Sequence, residues 1–353
     1  MTSHASALHP PTLPRRLRLS PHRSLLVRGQ SARLLGLDPR TALAVDDLPP
    51  PLAGMLDELA APTERVGLVA RAVQRGADRD EAEELLRRLV DTGVLVDAEG
   101  PERVARQRAA AAVTVVGGGP LAAGVAAGLG RAGIGAVWVE AAADGAADGV
   151  VQEGDLGTGL LDTDRGRSAL EAVVDVVRRV APGTSVGPPP ARAAPDLCVL
   201  ADAVVPDPLR VAALHRDRVA HLPVRLRDGI GVVGPLVLPG RSACLGCVEL
   251  HRRGRDPGWP AVTAQLVGRH GRGDAATAAA TAALGTTQVL RAVDFAGGGG
   301  TTVPPVLGAS LELDLSMGEL LHRPWPPHPD CTCGAPPAVR TCELRSGRGT
   351  IMR

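Results

Sequence analysis

The spacing of apolar residues in the first hundred positions predicts a small domain of mixed strands and helices. Three short apolar runs separated by turn-forming residues predict a three-stranded meander. Three segments with apolar residues three and four positions apart then predict helices, and a last apolar run predicts a closing strand. In order, the predicted elements span residues 25–27, 33–37, 42–45, 50–59, 63–73, 80–90 and 94–96. This order is typical of a winged-helix-like α+β domain, which we assign to residues 21–100.

Several boundaries of these elements carry sequence signals of their own. Thr63 can cap the second helix, and Gly93 can follow the C-cap of the third. Residues 1–20 are rich in Pro, Arg, Ser and His, which predicts a flexible arm. Residues 103–108 predict a charged connector to the next domain.

The pattern changes at Ala112 to an alternation of strands and helices. The strands are apolar at almost every position, which is typical of a parallel sheet covered by helices on both faces. The predicted strands span residues 113–116, 137–140, 196–201 and 221–226, and the helices 120–132, 164–180, 207–216 and 274–294. Residues 306–315 predict a strand pair, and residues 336–353 a flexible tail. The predicted fold class is therefore α/β, a doubly wound and mostly parallel Rossmann-type sheet over residues 110–335.

The composition argues against several classes of protein. Aromatic residues make up only 1% of the 353 residues, so the core must consist of Val, Leu and Ala. A net charge of +1 without a basic stripe argues against nucleic-acid binding. The longest apolar stretch, residues 109–139, is interrupted by a Gly-Gly-Gly-Pro run and by Arg131, so no membrane span is expected, and the N-terminus has no apolar segment of a signal peptide. We therefore expect a cytoplasmic protein with six reduced cysteines, of which Cys198 is a buried apolar residue and Cys342 has no assigned role.

A glycine loop between the first strand and the first helix of the sheet domain predicts a nucleotide site. Gly117, Gly119 and Ala122 fit G-x-G-x-x-G/A, in which the first glycine allows a tight turn and the second a close approach of phosphate. The helix that follows offers free N–H groups and the positive end of its dipole to an anion. Glu140 ends the next strand, where an acidic residue can bind a ribose hydroxyl. Packing alone is the other explanation of such glycines.

Four cysteines form two separated pairs with the spacing of a metal site. Cys244 and Cys247 form a CxxC motif, and Cys331 and Cys333 form a CxC motif, both expected on loops. Two such pairs can supply four thiolates to tetrahedral Zn²⁺, so we predict a closed structural zinc site that pins the tail to the sheet domain. His328 is an alternative fourth ligand. A redox CxxC is the other interpretation, but no thioredoxin-like context precedes the pair.

These features in combination resemble the ThiF/MoeB/HesA family of E1-like proteins. The resemblance rests on the strand–GxGxxA–helix motif, the distal acidic strand end, the Asp after the 196–201 strand and the order CxxC…CxC. The strings at residues 244–251, 256–260 and 325–333 resemble the actinobacterial branch, often described as ThiF-family adenylyltransferases. The resemblance covers residues 110–335.

The resemblance implies an adenylyltransferase that uses ATP and Mg²⁺ to activate a C-terminal carboxylate. The substrate would be a protein or peptide, such as a ubiquitin-like protein. The implied site residues are Gly117, Gly119, Ala122 and Glu140 for the nucleotide, Asp202 for the metal, and Arg165 or Arg167 for phosphate. The family also implies a homodimer, for which the 274–294 helix is a candidate surface.

The chain departs from the family pattern where the triphosphate is held. The family carries Asn-x-x-Arg-Gln at the position of residues 155–159, where this chain has Thr158 and Gly159 in place of Arg and Gln. The family also carries a Lys near the position of Ala169, and this chain contains no Lys. Loss of these groups leads to a second interpretation, a catalytically degenerate E1-like scaffold.

The order of elements in the N-terminal domain resembles the PqqD-like module that binds leader peptides. Such modules bind an extended peptide by strand addition, with side chains in a groove beside the helices. In some cyclodehydratase systems this module is fused to an E1-like domain that has lost its ATP site. The second interpretation is therefore a scaffold that holds the leader of a ribosomally made peptide for a partner cyclodehydratase. A domain used only for packing or dimerisation is the alternative.

Overall fold

The computed structural model describes residues 13–142, 149–191, 193–298 and 302–336. Cys342 and all but the first residue of the predicted C-terminal tail lie outside these ranges. The chain divides into two compact units, Met1–Val104 and Ala105–Arg353. The elements that begin in the first unit are β1 (Arg16–Leu19), β2 (Leu25–Val27), β3 (Arg33–Leu35), β4 (Leu43–Val45), α1 (Pro50–Glu58), β5 (Thr63–Glu64), α2 (Arg65–Gln74), α3 (Arg79–Asp91), β6 (Leu95–Asp97) and α4 (Gly100–Ala110).

Two small antiparallel sheets form the N-terminal unit together with helices α1 to α3. The order β2-β3-β4 confirms the predicted meander. The second sheet has the order β5-β1-β6, so its central strand comes from the segment that was predicted to be a flexible arm. Leu17 of β1 is fully buried, which shows why the prediction is wrong for residues 16–19: a short strand gains order from its partners, not from its own length.

The helix ends in this unit follow the predicted signals in part. Gly93 has φ of +66° after the C-cap of α3, as predicted. Asp78 caps the start of α3 and accepts the N–H groups of Asp80 and Glu81. Thr63 does not cap α2, because it lies in β5 and its hydroxyl donates to the carbonyl of Ala61 at 2.9 Å.

The second unit alternates strands and helices as predicted, with additional elements near its C-terminus. Its elements are β7 (Ala112–Val116), α5 (Pro120–Arg131), β8 (Ala136–Glu140), α6 (Ala169–Val180), β9 (Ser185–Gly187), β10 (Leu197–Asp202), α7 (Pro208–Arg216), β11 (His221–Arg227), β12 (Ile230–Val233), α8 (Leu245–Arg255), α9 (Trp259–Leu266), α10 (Ala275–Ala296), β13 (Ala309–Asp314) and β14 (Glu319–Pro324).

One sheet organises this unit, with the strand order β14-β13-β12-β11-β10-β7-β8-β9. Strands β9, β8, β7, β10 and β11 are parallel, and β12 to β14 continue the sheet antiparallel. Helices α5, α6 and α10 cover one face, and α7 packs on the other. The predicted doubly wound, mostly parallel α/β class is confirmed. The chain reverses its winding direction between β7 and β10, and ligands of such sheets bind at this switch point.

Three predicted elements of this unit differ from the structure. The charged connector at 103–108 is helical and belongs to α4. Helix α6 begins at Ala169 instead of 164, because a 3-10 turn at Asp162–Asp164 precedes it and Ser168 caps it. Residues 306–315 supply one strand, β13, whose partners β12 and β14 lie on either side in sequence. In the described ranges, none of the helices is long and apolar enough to cross a bilayer.

Candidate functional site

The loop between β7 and α5 has the conformation that its glycines were expected to allow. Gly117 has φ of +136°, which L side chains rarely adopt, and its N–H donates to the carbonyl of Glu140 at 2.9 Å. Ala122 is fully buried on the inner face of α5. The first N–H groups of α5 have no partner within the helix, so they form a cradle for an anion.

The carboxylate of Asp202, at the end of β10, occupies this cradle. It accepts the N–H groups of Gly119 and Leu121 at 2.9 Å each and that of Ala122 at 3.4 Å. A Cβ on Gly119 would lie 2.8 Å from Cγ of Asp202, so the close approach that requires this glycine is to a carboxylate. Asp202 has φ of +70° and is 3% exposed, which shows a backbone held in place by its surroundings.

The charge of Asp202 matters for any ligand of the same amides. Burial raises the pKa of Asp202 to about 6, because the carboxylate loses its hydration, while His270 and the three N–H donors oppose that rise. The group is therefore ionised at neutral pH. A phosphate that approached the cradle would meet both a filled set of donors and a like charge.

A small cavity lies near the carboxyl ends of β7, β8 and β10. It measures about 20 Å³ and is lined by Val116, Ala201, Pro206 and Arg210, among others. That volume holds roughly one water molecule. Sites for drug-sized ligands usually measure about 300–1,000 Å³. This cavity is therefore far smaller than a site for a nucleotide.

The residues at the positions predicted to contact ribose and phosphate form contacts with other residues of this chain. Glu140 ends β8, as predicted, and its carboxylate forms an ion pair with Arg210 of α7. The hydroxyl of Thr158 donates to the carbonyl of Pro120 at 2.6 Å, so the segment that departs from the family pattern packs on the start of α5. A short neutral side chain stands there instead of a cation.

Both arginines proposed for phosphate are bound to carboxylates. Arg165 forms an ion pair with Asp162 at 2.9 Å. Arg167 bridges Asp164 at 2.7 Å and Asp175 at 2.6 Å. These pairs lie between α6 and the turns before it, so either guanidinium would have to exchange a carboxylate for a phosphate.

The four cysteines of the two predicted pairs converge. Their sulfur atoms all lie within 4.8 Å of one another. The separation is 3.6 Å for Cys244–Cys331, 3.7 Å for Cys247–Cys333 and 3.9 Å for Cys244–Cys247. A tetrahedral ion with bonds to sulfur of about 2.3 Å requires sulfur–sulfur edges of about 3.8 Å. The cluster therefore has the size and donor set of a closed zinc site.

The elements that hold this cluster differ from the predicted loops. Cys244 is the N-cap of α8 and Cys247 lies in its first turn, so the first pair is fixed by a helix. His328 is not one of the four ligands: its Nδ1 accepts the N–H of Asp330 at 3.2 Å, and its ring lies 4.8 Å from that of His251. The geometry of the described residues therefore favours the set of four cysteines over the alternative set with His328. Cys198 is fully buried in β10, as predicted.

Next to the cluster, aromatic rings and guanidinium groups join α8, α9 and the tail. Trp325 is 4% exposed, and its Nε1 donates to Oγ of Ser310 at 2.9 Å. The guanidinium carbon of Arg252 lies 5.0 Å from the ring centre of Trp259 and 5.7 Å from that of Trp325. The three strings that suggested the actinobacterial branch thus meet in one place.

Sequence reasoning missed Arg225, a residue of β11 that is 6% exposed. It lines a cavity of about 510 Å³ that lies between α7 and α8 and reaches the cysteine cluster. The signal that could have revealed it is a charged residue between the apolar residues Val224 and Leu226 of a buried strand.

Solved structures match most of the chain, whereas no protein-family model and no curated protein matches it. The microcin C7 biosynthetic enzyme MccB in complex with N-formylated MccA is similar with a TM-score of 0.69 at 14% identity, over 91% of this chain and 100% of that chain. E. coli MccB with ATP gives a TM-score of 0.69 at 15% identity with the same coverage. The heterocyclase TruD gives 0.56 at 19% identity, over 91% of this chain but 43% of TruD.

At these identities the similarity establishes the fold. The E1-like fold that the motifs predicted is confirmed, and this chain shares it with MccB along nearly the whole of both chains. The actinobacterial branch and the PqqD-like character of the N-terminal unit stay predictions, as does dimerisation through α10.

Proposed function

We propose that this protein binds a peptide and presents it to a partner enzyme, using an E1-like fold that does not adenylate. The proposal rests on the hydrogen bonds that the carboxylate of Asp202 accepts from the N–H groups of Gly119 and Leu121. Those amides are the groups that a nucleotide phosphate would need at this switch point. The protein supplies its own anion in place of the ligand's.

Neighbouring groups support the same conclusion. The cavity lined by Ala201, Ala203 and Arg210 has room for about one water molecule. Arg165 and Arg167 are engaged by carboxylates, and the chain contains no Lys. A nucleotide triphosphate would therefore need several ion pairs to break before its charge could be neutralised.

The N-terminal unit offers a surface for an extended peptide. Strand β4 lies at the edge of its sheet, so its outer side is open to strand addition. A cavity of about 320 Å³ is lined by the residues directly after β4 and lies between the start of α1 and helix α3. Its lining includes Leu48, Leu52 and Leu85, with the carboxylates of Asp46, Asp47, Glu81 and Glu84 against the guanidinium of Arg88. This lining suits an apolar peptide side chain with a basic residue beside it.

The similar solved structures are compatible with a peptide ligand. MccB was solved with N-formylated MccA, and TruD is a heterocyclase. We therefore assign the ligand to the class of leader or precursor peptides, and the partner enzyme to the class that modifies such peptides.

Adenylation of a protein or peptide carboxylate is the second candidate, favoured by similarity to MccB, which was also solved with ATP. In that case the carboxylate of Asp202 would move away from the amides and would itself hold Mg²⁺. Gly117 and Gly119 would then bind phosphate, and Glu140 would exchange Arg210 for the ribose.

Titration with MgATP separates the two candidates. We expect the full chain to give no heat of ATP binding in a calorimeter and no ATP–pyrophosphate exchange with a candidate precursor peptide. The reason is that Asp202 fills the phosphate cradle. Saturable ATP binding with exchange that depends on Asp202 would contradict the scaffold and establish the adenylyltransferase.

Peptide binding has its own test in the N-terminal unit. We expect the precursor peptide to bind the full chain and to protect the amides of β4 from hydrogen exchange. A variant with both Asp46→Arg and Glu81→Arg should bind the peptide about tenfold more weakly, because the two substitutions reverse the charge of the cavity beside β4.

Glu153→Arg is the matched control, since Glu153 is an exposed acidic residue of the second unit. Equal affinity of all variants, or protection confined to other strands, would contradict this binding surface.

We also assign the four-cysteine cluster to structural Zn²⁺. All four ligand positions are sulfur, so no open coordination site is available for catalysis. The ion would fasten the segment after β14 to the first turn of α8.

A further inference from the structure

A cavity on the α7 side of the sheet has mainly apolar walls. It measures about 510 Å³, within the range of ligand sites, and lies between α7, α8 and the loop after β10. Val204, Val205, Val211, Leu245 and Val248 form much of its surface. None of the glycine-loop residues lines it.

One charged side chain enters this cavity from the sheet. Leu222, Val224 and Leu226 of β11 belong to the main core, so the alternate residue Arg225 faces the opposite side, toward α7 and α8. Arg225 is 6% exposed. Among the described residues, no hydrogen bond or ion pair reaches its guanidinium group.

The nearby carboxylate, Glu249, is already used by other donors. Its Oε2 accepts Nε1 of Trp259 at 2.5 Å and the hydroxyl of Thr263 at 3.2 Å, and its Oε1 accepts Nη1 of Arg252 at 3.2 Å. These bonds hold Glu249 toward α9. Arg225 therefore stays unpaired although a carboxylate lines the same cavity.

Cations outnumber carboxylates among the side chains of this cavity, and the cysteine cluster at its edge would carry a net charge of −2 with Zn²⁺ bound. The cavity lining includes three guanidinium groups, those of Arg216, Arg225 and Arg252, and one carboxylate, that of Glu249. Burial and the charges of Arg252 and Arg227 lower the pKa of Arg225 to about 10, so it stays charged at neutral pH. His215 of α7 also lines the cavity, and its Nε2 is buried without a hydrogen-bond partner.

A buried cation without a partner destabilises a fold, because its lost hydration is not replaced. A planar guanidinium presents paired donors that match the oxygens of a carboxylate or phosphate. We propose that Arg225 forms an anion site in this cavity, for a ligand that carries a carboxylate or phosphate group on an apolar body. This site uses neither the glycine loop nor the N-terminal unit, so it does not rest on the proposed scaffold function.

Calorimetric titration of the full chain with three eight-carbon probes tests the site. Octanoate and octyl phosphate carry the two anionic groups, and 1-octanol has the same chain without a charge. We expect at least one anionic probe to bind about tenfold or more tightly than octanol, because it pairs with Arg225. The better of the two anions identifies the head group.

The variant Arg225→Met removes the charge and retains most of the side-chain volume. It should bind all three probes equally, and its thermal midpoint without ligand should rise, because a buried unpaired charge is gone. Arg216→Met is the matched control: Arg216 lines the same cavity but is exposed and pairs with Asp217 at 3.0 Å. It should keep the preference for the anionic probe.

Two results would overturn the assignment. The first concerns the anion preference: either the unaltered chain binds octanol and both anions equally, or a preference for an anion survives in Arg225→Met. The second is a marked fall in the thermal midpoint of Arg225→Met, which would show that Arg225 stabilises the fold through partners of its own.

Discussion

Replacing Cys247 by Ala is expected to abolish zinc binding and to lower the free energy of unfolding by about 4 kcal/mol or more. A ligand that binds only the folded state stabilises it by about 4 kcal/mol when its free concentration is a thousand times its dissociation constant. Structural zinc sites with four thiolates bind far more tightly than ordinary ligands. Cys247 is fully buried and lies 3.7 Å from Cys333, so its loss removes one corner of the tetrahedron. Zinc content per chain and unfolding in denaturant measure the two effects.

Cys198→Ala is the control for this variant. Cys198 is equally buried but lies in β10, outside the cluster of four sulfur atoms. It should retain one zinc ion per chain and lose only the small packing term of one sulfur atom. The zinc assignment fails if the unaltered chain contains no zinc when purified without chelator, or if Cys247→Ala still holds one ion.

The second large effect is expected at the anion cradle. Asp202→Ala should lower the free energy of unfolding by about 3 kcal/mol, because it leaves buried N–H groups of Gly119 and Leu121 without an acceptor. The φ of +70° at this position adds a cost for Ala that glycine avoids. Asp202→Gly should therefore be the less damaging variant. Denaturant titration of both proteins checks the order.

Asp202→Gly should also gain an ability that the unaltered chain lacks. With the carboxylate gone, the N–H groups at the start of α5 are open to an external anion, so sulfate should raise the thermal midpoint of this variant specifically. Asp207→Ala is the control, since Asp207 caps α7 by accepting the N–H of Leu209 at 2.9 Å. It should cost about 1 kcal/mol and gain no sulfate binding. An equal response to sulfate in all proteins would show that the cradle is not blocked by Asp202.

The elements of the sheet domain were predictable because their signals are local. Solid apolar strands and helical spacing identified β7, β8, β10 and β11 and the helices between them. The additional strands β9 and β12 were missed because they are short and take their order from neighbours in the sheet. The same reason explains β1, which read as part of an arm until its pairing with β5 and β6 was known.

The candidate sites divide in the same way. Gly117 has a positive φ because the turn after β7 is tight. The spacing of the two cysteine pairs indicates a metal site. The role of Asp202 was assigned from resemblance to a family, and nothing in its neighbourhood in sequence indicates that its carboxylate binds the start of α5. That contact joins residues more than eighty positions apart.

The sequence by itself determined the class of the fold and the turn at Gly117 and predicted a site with four sulfur ligands, because periodicity, glycine and cysteine act through short-range geometry. Only the tertiary structure decided which anion lies on the amides of α5, and that Arg225 faces a cavity without a partner. Pairing of charges depends on which distant side chains the fold brings within about 4 Å, and the energy of each pair depends on how much water the fold excludes. The spacing of residues along a chain determines neither the pairing of charges nor the energy of each pair.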